Sequence, residues 1–216
     1  MPFITFEGSE GCGKSTQAQR LAARLESLGV PALMTREPGG TPIGETIKDL
    51  LQFAPHGDAM TPETELLLFE ASRSQLVRET IVPALKRGQC VISDRFFDST
   101  TVYQGVARKL DAQFVQALNS FAVGDCVPDL TLVLDVDVSV ARARMMRRVR
   151  PVSADRMEQE PVEFYQAVRD AYRQLAEKES RRVILIDGSK PIDEIEIEVW
   201  RIISSRFPEL SRAAKV

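Results

Sequence analysis

Five short apolar runs punctuate the chain: Phe3 to Phe6, Pro31 to Met34, Cys90 to Ser93, Leu130 to Val136 and Val183 to Ile186. They are rich in β-branched or bulky apolar residues and mostly lack period-two alternation, as strands covered on both faces do. Between the first two, Ala18, Leu21, Ala22, Leu25 and Leu28 recur at helical spacing, and Gly29 supplies a stop. A β-α-β unit is therefore predicted. Thr61-Pro62-Glu63 joins an N-cap residue, a proline at the first helical position and an early carboxylate, opening a helix through roughly Glu79. The same periodicity predicts helices over 111–122, 139–149, 161–179 and 192–206. There are no repeats, low-complexity tracts or linkers. The alternation predicts an α/β fold, a five-stranded parallel sheet with helices on both faces, whose ligands gather at the carboxyl ends of the strands.

Composition narrows this picture. A chain of 216 residues with 44% hydrophobic content can bury one sizeable core, so a single domain over 1–216 is expected. With 27% charged residues and a net charge of −3, there is no basic excess to suggest nucleic-acid binding. Cys12, Cys90 and Cys126 are odd in number and lack metal-site spacing, and no charged and apolar leader precedes the first strand pattern. A reduced, cytoplasmic setting is expected. No apolar run approaches the roughly 18 residues a membrane span needs, so a soluble protein is expected.

The chemistry begins at Gly8-Ser9-Glu10-Gly11-Cys12-Gly13-Lys14-Ser15-Thr16, directly after the first strand. Gly8, Gly13, Lys14 and Ser15 fall at phosphate-loop spacing: glycines let backbone N–H groups turn inward, Lys14 adds a point charge, and Ser15 can coordinate Mg²⁺. The helix that follows aims its positive end at the same phosphates. A GTP-driven switch would need an Asn-Lys-x-Asp stretch, which is absent, and a nucleic-acid motor would need a longer chain and a basic stripe. Asp94 and Arg95 follow the third strand, where a carboxylate can hold the Mg²⁺ shell and an arginine can fork onto phosphate; in isolation the pair could equally be a surface ion pair. Thr35 to Glu45, at the end of the second strand, reads by itself as a turn-rich loop.

Together, "GSEGCGKST", "TREPGGTPIGE" and "DRFFDSTTVYQG" resemble, in order and spacing, the bacterial thymidylate kinases, and the likeness extends through Leu68 to Arg73 and Asp155 to Glu160. The resemblance implies a P-loop NTPase fold, ATP and Mg²⁺, and transfer of the γ-phosphoryl group to the 5′-phosphate of thymidine monophosphate. It implies that Phe69 stacks on the base, Arg73 donates to a base carbonyl, Arg95 holds the acceptor phosphate, and Thr100 and Gln104 bond the pyrimidine edge. Tyr103 would crowd the ribose 2′ position, Glu10 would accept from the 3′-hydroxyl, and Glu37 and Lys48 would lie close to the acceptor. Core packing for Phe69 and a solvent-facing carboxylate for Glu10 are the structural alternatives. Val102 stands where alanine is more usual in the family.

An acceptor phosphate, with its second pKa about 6, is already largely dianionic and attacks without a general base. His56, the only histidine, is expected to be a loop residue. What the reaction needs is cations and exclusion of water. Six arginines lie between Arg142 and Arg156, a cluster expected to form a lid over about 142–160. Because Lys14 is the only cation in the phosphate loop, the resemblance directs the catalytic arginine to Arg148, Arg150 or Arg156, with Arg144 near adenine. Cys12 reads as a small residue unless the helix terminus activates its thiolate. The family likeness also implies a homodimer, for which the apolar helices around 61–79 and 111–122 could supply the interface.

Overall fold

All five residues of β1 (Phe3–Glu7) are buried, because this strand lies at the centre of a sheet covered on both faces. The computed structural model describes residues 1–54, 57–147 and 160–212, apart from the side chains of Asp58 and Arg212. Alongside β1 run β2 (Ala32–Arg36), β3 (Cys90–Asp94), β4 (Leu130–Asp135) and β5 (Val183–Asp187), all parallel in the order β2-β3-β1-β4-β5. The chain passes from the centre to one edge, returns, and crosses β1 to the other side. That change of direction opens a crevice at the carboxyl ends of β1, β3 and β4.

On one face, Ile4, Phe6, Ile92 and Leu132 pack with Ala18, Leu21 and Leu25 of α1 (Lys14–Ser27) and Ile195, Val199 and Ile203 of α9 (Ile192–Arg206). The opposite face carries two further clusters. Phe3 and Val91 meet Leu76, Val77 and Ile81, while Val133 and Val183 meet Val168, Tyr172 and Leu175 of α8 (Val162–Lys178). Truncating a residue such as Leu132 to alanine would cost about 2–5 kcal/mol in cavity and lost transfer energy. Among the described residues no helix is long and apolar enough to cross a membrane.

Two departures from the sequence pattern matter for the site. The loop after β2 gives way to α2 (Pro42–Phe53): Thr41 caps it by accepting from the Gly44 amide at 2.9 Å, and Pro42 occupies its first turn. Second, α3 (Pro62–Leu76) does not run straight to Glu79 but widens into a π turn, Val77–Ile81, before α4 (Val82–Lys86). Pro83 lacks the N–H that would close a regular turn there. The short α5 (Phe97–Thr100) likewise runs into a π segment, Thr101–Ala107, ahead of α6 (Ala112–Val123). The helix expected over 139–149 is α7 (Val138–Met146), with Arg147 as its exposed C-cap. A final short helix, α10 (Glu209–Arg212), closes the described chain.

Candidate active site

The loop between β1 and α1 wraps into a cradle because its glycines take backbone angles closed to other residues. Gly11 has φ 76°, and a Cβ there would stand 2.4 Å from the Ala141 carbonyl oxygen. Gly13 caps α1 in the left-handed conformation, φ 100°, with no side-chain cap and no acid in the first turn. The N–H groups opening α1 are thus left for an anion. Lys14 Nζ reaches back to the Ser9 carbonyl oxygen at a loose 3.4 Å. Gly8, with φ 131°, and the buried Ser9 shape the loop from beneath.

Cavities open on both sides of this cradle. The larger, about 520 Å³, is lined by Gly11, Cys12, Gly13 and Thr16, together with Arg144 of α7 and the Ser189 to Ile192 segment after β5. Arg144 donates to the Gly188 carbonyl oxygen at 2.9 Å, which tethers α7 to that segment. Sequence reasoning did not single out Ser189, Lys190 or Ile192, although they follow the carboxyl end of β5, where the fold rule places ligands. A third cavity, about 390 Å³, lies behind the π segment against α6 and α8, and no phosphate-loop residue lines it.

The smaller cavity, about 190 Å³, shares Lys14 and Ser15 with the loop and is otherwise built from side chains. Glu10, Glu37, Phe69, Asp94, Arg95, Thr100, Tyr103 and Gln104 all line it, as do Arg36, Pro38 and Ser99, which sequence reasoning did not assign. Arg95 sits at its centre with φ 73°, a left-handed backbone that aims the guanidinium inward. The side chain donates to Glu10 Oε1 at 2.6 Å, to the Tyr103 hydroxyl oxygen at 3.2 Å and to Ser99 Oγ at 2.9 Å. Glu10 is turned into the cavity and not to solvent, its second oxygen accepting from Tyr103 at 2.8 Å. Burial raises the Tyr103 phenol well above its ordinary range, so the hydroxyl keeps its proton and remains a donor. Gln104 is held by Glu65 at 2.7 Å, and Val102 turns away into the core beside Val133 and Phe164.

Three buried oxygens of this wall have no hydrogen-bond partner among the described residues: Glu37 Oε1, Asp94 Oδ1 and Thr100 Oγ1. Leaving a buried polar atom unmet costs about 1–3 kcal/mol, so such atoms in a cavity mark where a ligand's polar groups belong.

Two residues expected in this pocket are elsewhere. Arg73 is one helical turn beyond Phe69, yet only Phe69 lines the cavity; the Arg73 side chain is 1% exposed and consumed by carboxylates. Its Nε and Nη2 donate to Glu37 at 2.9 and 2.7 Å, and Nη1 donates to Glu70 at 2.7 Å and Asn119 at 3.1 Å. A buried cation must be paired, and Arg73's long stem carries the charge to these partners beneath the cavity floor. Burial pushes the Glu37 carboxyl up to about 7, with Arg73 opposing and Glu70 adding repulsion. Lys48 is paired with Glu45 at 3.4 Å on α2 and does not line the cavity. Cys12 is fully buried, and that burial raises its thiol above the ordinary value despite Lys14, so the helix terminus does not activate it. His56, Arg148, Arg150 and Arg156 lie outside the described residues.

Comparison with known proteins points to one family. Residues 6–199 match the family model described as thymidylate kinase. A thymidylate kinase of Afipia carboxidovorans is 45% identical over 205 residues, spanning 95% of this chain and 90% of that protein. A thymidylate kinase of Pseudomonas entomophila is 48% identical over 194 residues, covering 90% of each chain. The crystal structure of thymidylate kinase from Ehrlichia chaffeensis superposes with a TM-score of 0.75 at 35% identity, over 94% of this chain and 98% of that one. With a matching family model over most of its length, a shared fold and a phosphate loop between two cavities, this chain belongs to the thymidylate kinase family.

Proposed function

We propose that the protein transfers the γ-phosphoryl group of ATP to the 5′-phosphate of thymidine monophosphate, releasing dTDP and ADP, with ATP in the larger cavity and the acceptor in the smaller. One observation carries this reading: Lys14 and Ser15 of the phosphate loop line the same cavity as Phe69, Arg95, Thr100 and Gln104. A donor phosphate on the loop and an acceptor beside Arg95 would meet there, and holding two polyanions in reacting geometry is most of the catalytic task.

Phe69 stacks on the pyrimidine, while Thr100 Oγ1, unpartnered and buried, bonds its edge together with Gln104. Arg95 grips the acceptor phosphate, and Glu10 accepts from the sugar 3′-hydroxyl. Arg95 and Glu10 are paired with each other at 2.6 Å, which keeps the phosphate-gripping and hydroxyl-accepting groups side by side. Glu37 Oε1 faces the same space, and Arg73 steadies the floor beneath the base. No general base is required of the protein, since the acceptor is already anionic.

Mg²⁺ fits the residues present: Asp94 Oδ1 is buried without a partner, and Ser15 lines the same cavity. Asp94 and Ser15 would hold the ion, which when bound neutralises charge on the nucleotide phosphates. The arginine completing the catalytic set comes from the segment around Arg148, Arg150 and Arg156, and the enzyme works in the cytoplasm.

A second copy of the chain covers the apolar stripe of α6. Phe114 is 57% and Phe121 77% exposed, and Leu67 on the adjoining α3 is 54% exposed, an apolar surface unusual for an unpartnered helix pair. Phe121→Glu is expected to shift the particle from dimer to monomer in sedimentation equilibrium.

ADP release from Mg²⁺-ATP with thymidine, deoxyuridine, uridine, cytidine, adenosine and guanosine monophosphates tests the reaction. Strong preference for thymidine monophosphate is expected; equal turnover without any acceptor would make the protein an NTPase and overturn the proposal.

A further inference from the structure

Glu7 ends β1, one residue before the phosphate loop, and its side chain is completely buried. Burial pushes its carboxyl above the ordinary carboxylate range, with Asp98 adding repulsion and Arg95 opposing. A carboxylate in such a place persists where its oxygens are bonded. Here Oε1 accepts from the Phe96 amide at 2.7 Å, while Oε2 accepts from the Ser99 hydroxyl at 2.6 Å and the Tyr172 hydroxyl at 2.7 Å.

Each of these partners borders Arg95. The Phe96 amide belongs to the peptide directly after Arg95, whose left-handed backbone disfavours any residue with a Cβ. Two further bonds pin the same turn: the Arg95 amide donates to the Phe6 carbonyl oxygen at 2.9 Å, and Ser93 Oγ donates to the Arg95 carbonyl oxygen at 2.7 Å. Ser99 gives its single proton to Glu7, which leaves its lone pairs facing the Arg95 Nη1 donor at 2.9 Å. Tyr172 approaches Ser99 at 3.1 Å, and its ring packs edge-on to Tyr103, over which the Arg95 guanidinium lies 5.0 Å from the ring centroid. With Glu7 ionised its oxygens only accept, which fixes the polarity of the chain; a protonated Glu7 donating to Ser99 would turn that hydroxyl hydrogen toward Arg95 and oppose a cationic donor.

We infer that Glu7, acting through Ser99 and the Phe96 amide, is the positioning residue for Arg95, holding its guanidinium in the orientation that grips the acceptor phosphate. Tyr172 braces this relay from α8. The inference rests on the proposal that Arg95 holds that phosphate. It separates Glu7 from a carboxylate that merely knits the core, because a positioning role touches only ligands that carry the phosphate.

The test is calorimetric titration of folded protein with thymidine monophosphate and, separately, with thymidine, which lacks the phosphate. Glu7→Gln keeps the side-chain shape but replaces one acceptor with a donor; Ser99→Ala removes the relay and leaves Glu7 its other two bonds; Arg95→Ala is the reference. Losing one charge-assisted bond is worth about tenfold in affinity. Glu7→Gln and Ser99→Ala are each expected to weaken thymidine monophosphate about tenfold while thymidine binding stays within about twofold of the parent. Equal weakening of both ligands, or of neither, would overturn the inference. Should Glu7→Gln not fold, Ser99→Ala decides alone. If Arg95→Ala itself fails to separate the two ligands, the phosphate assignment falls and the inference with it; if Arg95→Ala separates them and the other two do not, the inference alone falls.

Discussion

The two sides of the phosphate loop solve the same problem with different materials. On the ATP side the binding groups are largely backbone: glycines at φ 76° and 100° and the uncapped start of α1 present N–H donors. The acceptor side is built from buried charge, with Arg95, Glu10, Glu37 and the nearby Arg73 and Glu70 holding one another in place. Backbone cradles recognise any polyphosphate, whereas interlocked side chains can discriminate one nucleotide from another. Generality is built into the main chain here, and selectivity into long-range ion pairs.

The sharpest way to break this contrast is to remove the one cation of the loop, Lys14, which lines the acceptor cavity. Lys14→Ala is expected to lower kcat by about 10²–10³, as loss of a preorganised charge does, with an unchanged unfolding midpoint because the side chain makes a loose contact at 3.4 Å. Steady-state kinetics alongside thermal unfolding checks both.

The acceptor side should instead show its cost in stability. Glu37 titrates at about 7 in the fold against an ordinary 4.5. Between those values the folded chain keeps a proton that the unfolded chain releases, so stability falls as pH rises from about 4.5 to about 7 and then levels off. The difference amounts to about 3 kcal/mol. Glu37→Gln is expected to flatten that decline, measured by urea unfolding at pH 5 and pH 7.5.

The smallest effect concerns Tyr103. Tyr103→Phe removes the hydroxyl shared with Glu10 and Arg95 while keeping the ring, and is expected to raise KM for thymidine monophosphate about tenfold. Discrimination against a 2′-hydroxyl should persist; if it vanished, selectivity would lie in the hydroxyl network and not in the ring.

The same contrast explains what the sequence could reveal. The strands and α1 were legible because apolar run length and helical spacing are local properties, and the phosphate loop because its residues lie within nine consecutive positions. Thr41 and Pro42 form a legible cap for α2, but the Pro38-Gly39-Gly40 turn directly before them has the composition of a loop and masks it. The π segment Thr101–Ala107 has no periodic signature, although it turns Tyr103 and Gln104 toward the cavity. Helical spacing placed Phe69 and Arg73 on one face but could not foresee the partners that draw Arg73 below it: Glu37 and Asn119 are distant in sequence. Glu7 was hidden for the same reason, since its bonds reach Ser99 and Tyr172, and an apolar strand ending in glutamate gives no sign of them.

One phosphate loop lines both cavities and would join donor and acceptor in a single reaction space. The most direct measurement is calorimetric titration with a molecule that links thymidine to adenosine through five phosphates. If the cavities are joined, this compound binds at least about a hundredfold more tightly than ATP or thymidine monophosphate alone, and prior saturation with either nucleotide blocks it. Affinity no greater than that of the tighter half, with the other nucleotide still binding alongside, would contradict the claim.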